Sequence, residues 1–208
     1  MGSSILLDPY DIYRLSTGTG LTFEDLLKGR IELNMSDGLI LPNLKMAGEK
    51  EACSFLNGEG RCSVHPFRPG FCRLFPLGRL YENGSFQYFL QTHECKKENR
   101  TKVKVRKWID IPDLANMKNS FLNWHYFAKE MGQKIKSLGS EGQDKSKALC
   151  LYVLKKFYME PFDASVDFYE QFNKRLEEAK HAQLPKEFIG RMVRTVLFIG
   201  LVAAAAQE

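Results

Sequence analysis

The chain has 208 residues, 44% of them hydrophobic and 26% charged, with a net charge of +5. These values exclude wholesale disorder and suit one well-filled core, or one core with a helical appendage. No run reaches the roughly 18 uncharged apolar residues that a bilayer span needs, and no basic region followed by an apolar stretch marks a secretory leader, so the expected location is cytoplasmic.

Read in order, "DPYDIYRLS" starts a helix, with Asp8 as N-cap, Pro9 at the first helical position, and Ile12 and Leu15 on one face. "TFEDLLKG" repeats the logic: Thr22 caps, Glu24 and Asp25 favour the N-terminus, and Gly29 stops the helix. "RIELNMSDGLILPNL" predicts two strands turning at Ser36-Asp37-Gly38, and Asn83-Gly84 predicts a second hairpin. In "RTKVKVRKWID", Lys102, Lys104 and Arg106 alternate with Val103 and Val105, which predicts a strand with one basic face. From Pro112 the pattern turns helical: Asp113 to about Met131, Lys147 to Met159, Ala164 to about Ala182, and a last helix from Pro185. The apolar run from Thr195 to Ala206 is read as a buried or partner-facing helix. The expected class is α+β: a cysteine-bearing region, residues 1–110, of short helices, strands and a hairpin, followed by a mostly helical region, 111–208, packing on it.

Charge is unevenly spread. Residues 1–60 carry a net −4, residues 61–107 a net +8 and residues 108–208 a net +1. The basic segment also holds three of the five cysteines. In a chain read as cytosolic, an odd cysteine count favours metal thiolates over disulfides. Cys53, Cys62, Cys72 and Cys95 fall within 43 residues at spacings C-x8-C-x9-C-x22-C, and a turn or hairpin in every interval lets the chain double back. Four thiolates suit zinc or an iron–sulfur cluster. The competing reading makes Cys53 and Cys72 small core hydrophobes. Cys150, on the apolar side of a helix, is read as core.

Burying such an anionic site needs compensating charge and donors. Arg61, Arg68, Arg73 and Arg79 lie close by, Pro66 and Pro69 stiffen the loop, Gly70 and Gly78 would let N–H groups approach sulfur, and Phe67, Phe71 and Phe75 would exclude water. His65 and His93 sit near cysteines as possible ligands or proton carriers, whereas His125 and His181 read as helix-surface or packing residues. "KKENRTKVKVRK" has seven basic residues and one acid in twelve. It could meet a polyanion, but no aromatic residue interleaves before Trp108, so nucleic acid is the weaker reading and a solvated face the commoner one.

"CSFLNGEGRCSVHPFRPGFCRLFPLGR" resembles the YkgJ-like cysteine-cluster (CxxCxxCC) family, a zinc- or iron-chelating domain. The family pattern, C-x-F-L and then G-x-C-x-I/V-Y/H-x-x-R-P-x-x-C-R-x-F-P, falls on Cys53, Phe55, Leu56, Cys62, Val64, His65, Arg68, Pro69, Cys72, Arg73, Phe75 and Pro76. "LDPYDIYRL" is similar to the family's L-x-P-x-D-I/L-x-R-L segment. The family carries a further CxxCxxxCC cluster just before that segment. Only a few residues precede Leu7 here and none is cysteine, so either the start lies further upstream or this member has lost half of the family's ligands.

The expected function is metal binding, as zinc or an iron–sulfur cluster, through Cys53, Cys62, Cys72 and Cys95, supported by Arg68, Pro69 and Arg73. Two alternatives stand beside it. One is a metal-dependent enzyme acting on a protein substrate, similar to relatives associated with lysine methylation. The other is a non-catalytic module using the basic strand.

Overall fold

The computed structural model describes residues 5–48, 51–94, 101–111, 113–139 and 142–182. Cys95 and the apolar C-terminal run lie outside the described residues. Helix α1, Pro9–Thr19, begins as expected: Asp8 Oδ1 accepts from Asp11 N at 2.8 Å, and Asp11 Oδ2 accepts from Asp8 N at 3.1 Å. This reciprocal cap satisfies two donors that a helix start leaves open. Thr22 and Asp25 do the same for α2, Phe23–Leu27.

β1, Ile31–Ser36, and β2, Leu39–Leu44, pair antiparallel from Ile31 opposite Leu44 to Ser36 opposite Leu39. Asp37 and Gly38 both take positive φ, which a two-residue turn of this twist requires. A short pair follows, β3, Met46–Ala47, and β4, Ala52–Cys53. The hairpin of β5, Leu77–Glu82, and β6, Ser85–Leu90, turns on Asn83-Gly84 as expected.

Two elements depart from expectation. "HPF" forms a 3-10 turn, His65–Phe67, and "GFCRL" a short helix, α3, Gly70–Leu74. The basic strand does not exist: residues 101–104 are irregular and Val105–Ile109 is helix α4. A Lys/Val alternation is a strand only where a neighbouring strand accepts its hydrogen bonds, and none among the described residues lies beside it. The interaction module built on a basic strand loses its structural basis here.

The long helix α5, Leu114–Ser137, is capped by Asp113 and buries Met117, Phe121, Trp124, Phe127, Met131 and Ile135, the three- and four-residue spacing of one helix face. α6, Gln143–Leu154, runs into a π-helical turn, Lys155–Met159, and α7 spans Phe168–Lys180. The main core draws Leu7, Leu15, Leu26, Ile31, Leu39 and Leu44 together with Trp124, Phe157 and Phe172, so hairpin and helices share one interior. A smaller core of Leu74, Phe86, Ile109, Ile111, Met117 and Phe121 joins the β5–β6 hairpin and α3 to α4 and the start of α5. The result is α+β with a helical C-terminal half, as the sequence predicts. Cys150 is buried, its Sγ 3.2 Å from Gly38 O, in keeping with a core role. No helix among the described residues is long and apolar enough to cross a membrane.

Candidate metal centre

Three chain passes deliver the cysteines. The β3–β4 pair sets Cys53 opposite Met46. The chain then loops through Gly60, at φ 74°, where Asn57 Oδ1 accepts from Glu59 N at 3.1 Å and Arg61 N at 2.9 Å. It returns with Cys62 bridged to Leu56, and Ser63 donates both N–H and Oγ–H to Phe55 O at 2.8 Å. The third pass is α3, which carries Cys72.

α3 and the 3-10 turn before it are tied to α1 at three points. Gly70 N donates to Asp11 Oδ1 at 2.7 Å, a buried bond across 59 residues of sequence. Arg14 donates to Pro66 O at 2.5 Å. The Phe67 ring lies over Gly18, where a Cβ would fall 2.2 Å from it, so a side chain there would displace the ring. Arg73 is buried and spends its guanidinium on backbone carbonyls: Pro66 O, Arg68 O at 3.3 Å, Ile109 O at 3.5 Å and Asp110 O at 3.3 Å. It therefore clamps the loop to α4. Its burial lowers its pKa.

Cys53, Cys62 and Cys72 are free, half-buried and packed against the main core. Burial first, then the charges of Asp11, Cys53 and Cys62, push the Cys72 thiol up to about 12, with Arg68 acting the other way. No three His, Cys, Asp or Glu side chains among the described residues converge closely enough to hold a metal ion. His65 Nε2 lies 3.1 Å from Arg68, exposed, and His93 sits exposed in the turn after β6. Arg68 Nε is buried without a hydrogen-bond partner. Pro69 is buried at the N-terminus of α3.

Several supporting expectations are corrected. Phe71 and Phe75 are 56% and 42% exposed, so they do not seal the loop; only Phe67 is tucked in. Gly70 N–H points to a carboxylate, not a sulfur. Gly78 makes room for the Phe89 ring, 2.3 Å from where a Cβ would sit. Asp11 is a site residue that the sequence reading does not single out. The signal for its second role is its place in the L-x-P-x-D segment, beside the cysteine loop in the family resemblance.

The site is thus a thiol-bearing loop anchored on a capped helix. Residues 11–100 match the model of the CxxCxxCC family, described as "Putative zinc- or iron-chelating domain", which bears out the resemblance and supports metal binding by this stretch. No curated protein and no solved structure matches the chain.

Proposed function

We propose that the segment matched by the family binds zinc or an iron–sulfur cluster through the thiolates of Cys53, Cys62 and Cys72, with Cys95 as the fourth ligand. The observation that supports this reading is the family match over residues 11–100, within which Cys53, Cys62 and Cys72 are free, half-buried thiols packed against the main core; ligation requires their sulfurs to close further than they do in this structure. Soft thiolate donors select zinc or iron–sulfur centres over hard cations. A thiol that coordinates a metal gives up its proton. Metal uptake should therefore release protons and weaken as pH falls. Arg68, beside Cys72, opposes the negative charge that thiolates would bring.

Protein purified without oxygen and analysed for metal tests the reading. Zinc or iron near one equivalent or more is expected, with visible absorption marking a cluster and its absence marking zinc. Less than about 0.2 metal per chain, or loading that Cys62→Ser and Cys72→Ser leave unchanged, would refute it.

A further inference from the structure

A cavity of about 420 Å³ opens on the far side of Gly70, between α1, the β1–β2 turn, β5 and α5. That is within the range of roughly 300–1,000 Å³ that small-molecule sites occupy. Its polar groups gather at one end. Asp8 and Asp11 come from α1 and its cap, and Arg79 and Tyr81 from β5. Gly70 is the floor between them: a Cβ there would lie 3.6 Å from Asp11 Oδ1, 3.7 Å from an Arg79 terminal nitrogen and 3.4 Å from the Phe121 ring. The missing side chain leaves these groups facing open space.

Their bonding is incomplete. Asp8 accepts backbone N–H groups, from Asp11 and Tyr10, and no side-chain cation among the described residues closes on it. Arg79 acts on both carboxylates through its charge but closes an ion pair with neither. Its guanidinium stacks on Phe121, 3.9 Å from the ring centroid, and touches the Tyr81 hydroxyl, while its Nε is buried with no partner. A planar guanidinium held this way is set to take a carboxylate. The walls are apolar: Leu39, Leu41, Phe121 and Trp124, with Tyr81 fixed by a parallel stack on His125 at 3.8 Å. Lys129, whose charge acts on His125, and the Asp37–Lys136 pair also line it.

A simple anion entering this end would meet two aspartates, and a simple cation would meet the arginine. A molecule carrying both charged groups on one carbon meets each with its opposite. We infer that this cavity binds a free α-amino acid, its ammonium on Asp8 and its carboxylate on Arg79, with the side chain against Phe121 and Trp124. The inference is independent of what the cysteines hold.

Titration calorimetry of the full chain with each of the twenty L-amino acids tests this, followed for any binder by its decarboxylated amine and its deaminated acid. One amino acid or a related group should bind at one per chain, with amine and acid each weaker by about tenfold or more. Asp8→Asn, which keeps the helix cap, and Arg79→Gln should each weaken binding by about tenfold or more. Ala128→Phe, which fills the cavity from α5 without touching the charges, should abolish it. Melting curves and circular dichroism confirm that each variant folds; should Arg79→Gln fail, the other two still decide. No binding of any amino acid up to about 10 mM would overturn the inference. So would an amine or acid that binds as tightly as its parent, or binding that survives Asp8→Asn or Ala128→Phe.

Discussion

Asp11→Ala strikes the joint between the capped helix and the cysteine loop. Asp11 is 3% exposed. It accepts Gly70 N–H at 2.7 Å and Asp8 N–H at 3.1 Å. Losing the first leaves a buried N–H without a partner, worth about 1.5–3 kcal/mol for a bond to a charged acceptor. Losing the second removes half of the capping box, about 0.5–1 kcal/mol. Against this, burial raises the pKa of Asp11 above 3.8, so the ionised carboxylate is itself unfavourable in the native state at neutral pH, and deletion recovers part of that. The net expectation is a loss of about 2 kcal/mol at neutral pH, read as a lower urea midpoint at unchanged m. Asp11→Asn keeps an acceptor for Gly70 and sheds the charge, so it should cost less than about 1 kcal/mol. The pH dependence separates the terms. Asp8 and Asp11 both have raised native pKa values, desolvation being the first cause, and they titrate as a pair. Above 3.8 and below the raised values, the native state holds protons that the unfolded chain has released. Their contribution is full below 3.8 and is lost as pH rises through the native values. Wild-type stability should therefore gain relative to Asp11→Asn on going from neutral to about pH 5. An Asp11→Ala variant within about 0.5 kcal/mol of wild type at neutral pH, or an Asn variant as damaged as the Ala variant, would refute this account.

Other substitutions test the frame that carries the site. At Gly132 a Cβ would lie 2.3 Å from Asp37 O. Alanine gains about 1 kcal/mol of helix propensity but meets backbone that cannot swing aside, at a cost of about 1–3 kcal/mol, so Gly132→Ala should lower the urea midpoint, and an unchanged or raised midpoint would show that the hairpin yields freely. Phe172→Ala empties the centre of the main core, where Phe172 is 1% exposed, and should cost about 3–5 kcal/mol, seen as a drop in melting temperature. Arg175 donates to Lys156 O at 2.9 Å, Glu160 O at 2.7 Å and Pro161 O at 2.8 Å while stacking 3.8 Å over Phe162. A lysine cannot reproduce that fork, so Arg175→Lys should speed amide exchange around residues 155–161 and cost about 1–2 kcal/mol in denaturation.

What could be read from the sequence followed from local rules. Asp37-Gly38 and Asn83-Gly84 announce their hairpins because few other pairs tolerate positive φ at successive positions. Asp8, Thr22 and Asp113 mark helix starts because their side chains accept the first free N–H groups. The cysteine-bearing stretch was legible as a resemblance, which the family match over residues 11–100 bears out. What failed depended on partners far away in sequence. Residues 102–106 alternate like a strand, yet a strand exists only beside another, and here the chain turns into α4 instead. Phe71 and Phe75 look like sealing residues, but their exposure is set by where α3 and the hairpin face. The cavity was out of reach for the same reason, since Asp8, Arg79 and Phe121 are gathered from three elements spread over more than half the chain.

Helix α1 ties these parts together, and its pattern explains why one short segment bears so many constraints. Ile12 and Leu15 are buried in the main core and hold the helix in place. Asp8 lines the cavity, Asp11 reaches the N–H of Gly70, and Arg14 reaches Pro66 O, both of the latter on the loop that carries Cys72. Positions 8, 11, 12 and 15 fall at three- and four-residue spacings, so cap, anchor and core contacts share one side of the helix. Arg14, two residues past Ile12, reaches out from beside that side. Gly70 is where the two sites meet: its N–H serves the anchor under the cysteine loop, and its bare Cα forms the floor of the cavity. A change at Asp11 is therefore felt on both sides of Gly70. Comparing metal content and amino-acid binding in Asp11→Asn and Asp11→Ala measures how far the thiol loop and the cavity depend on the one hydrogen bond between them.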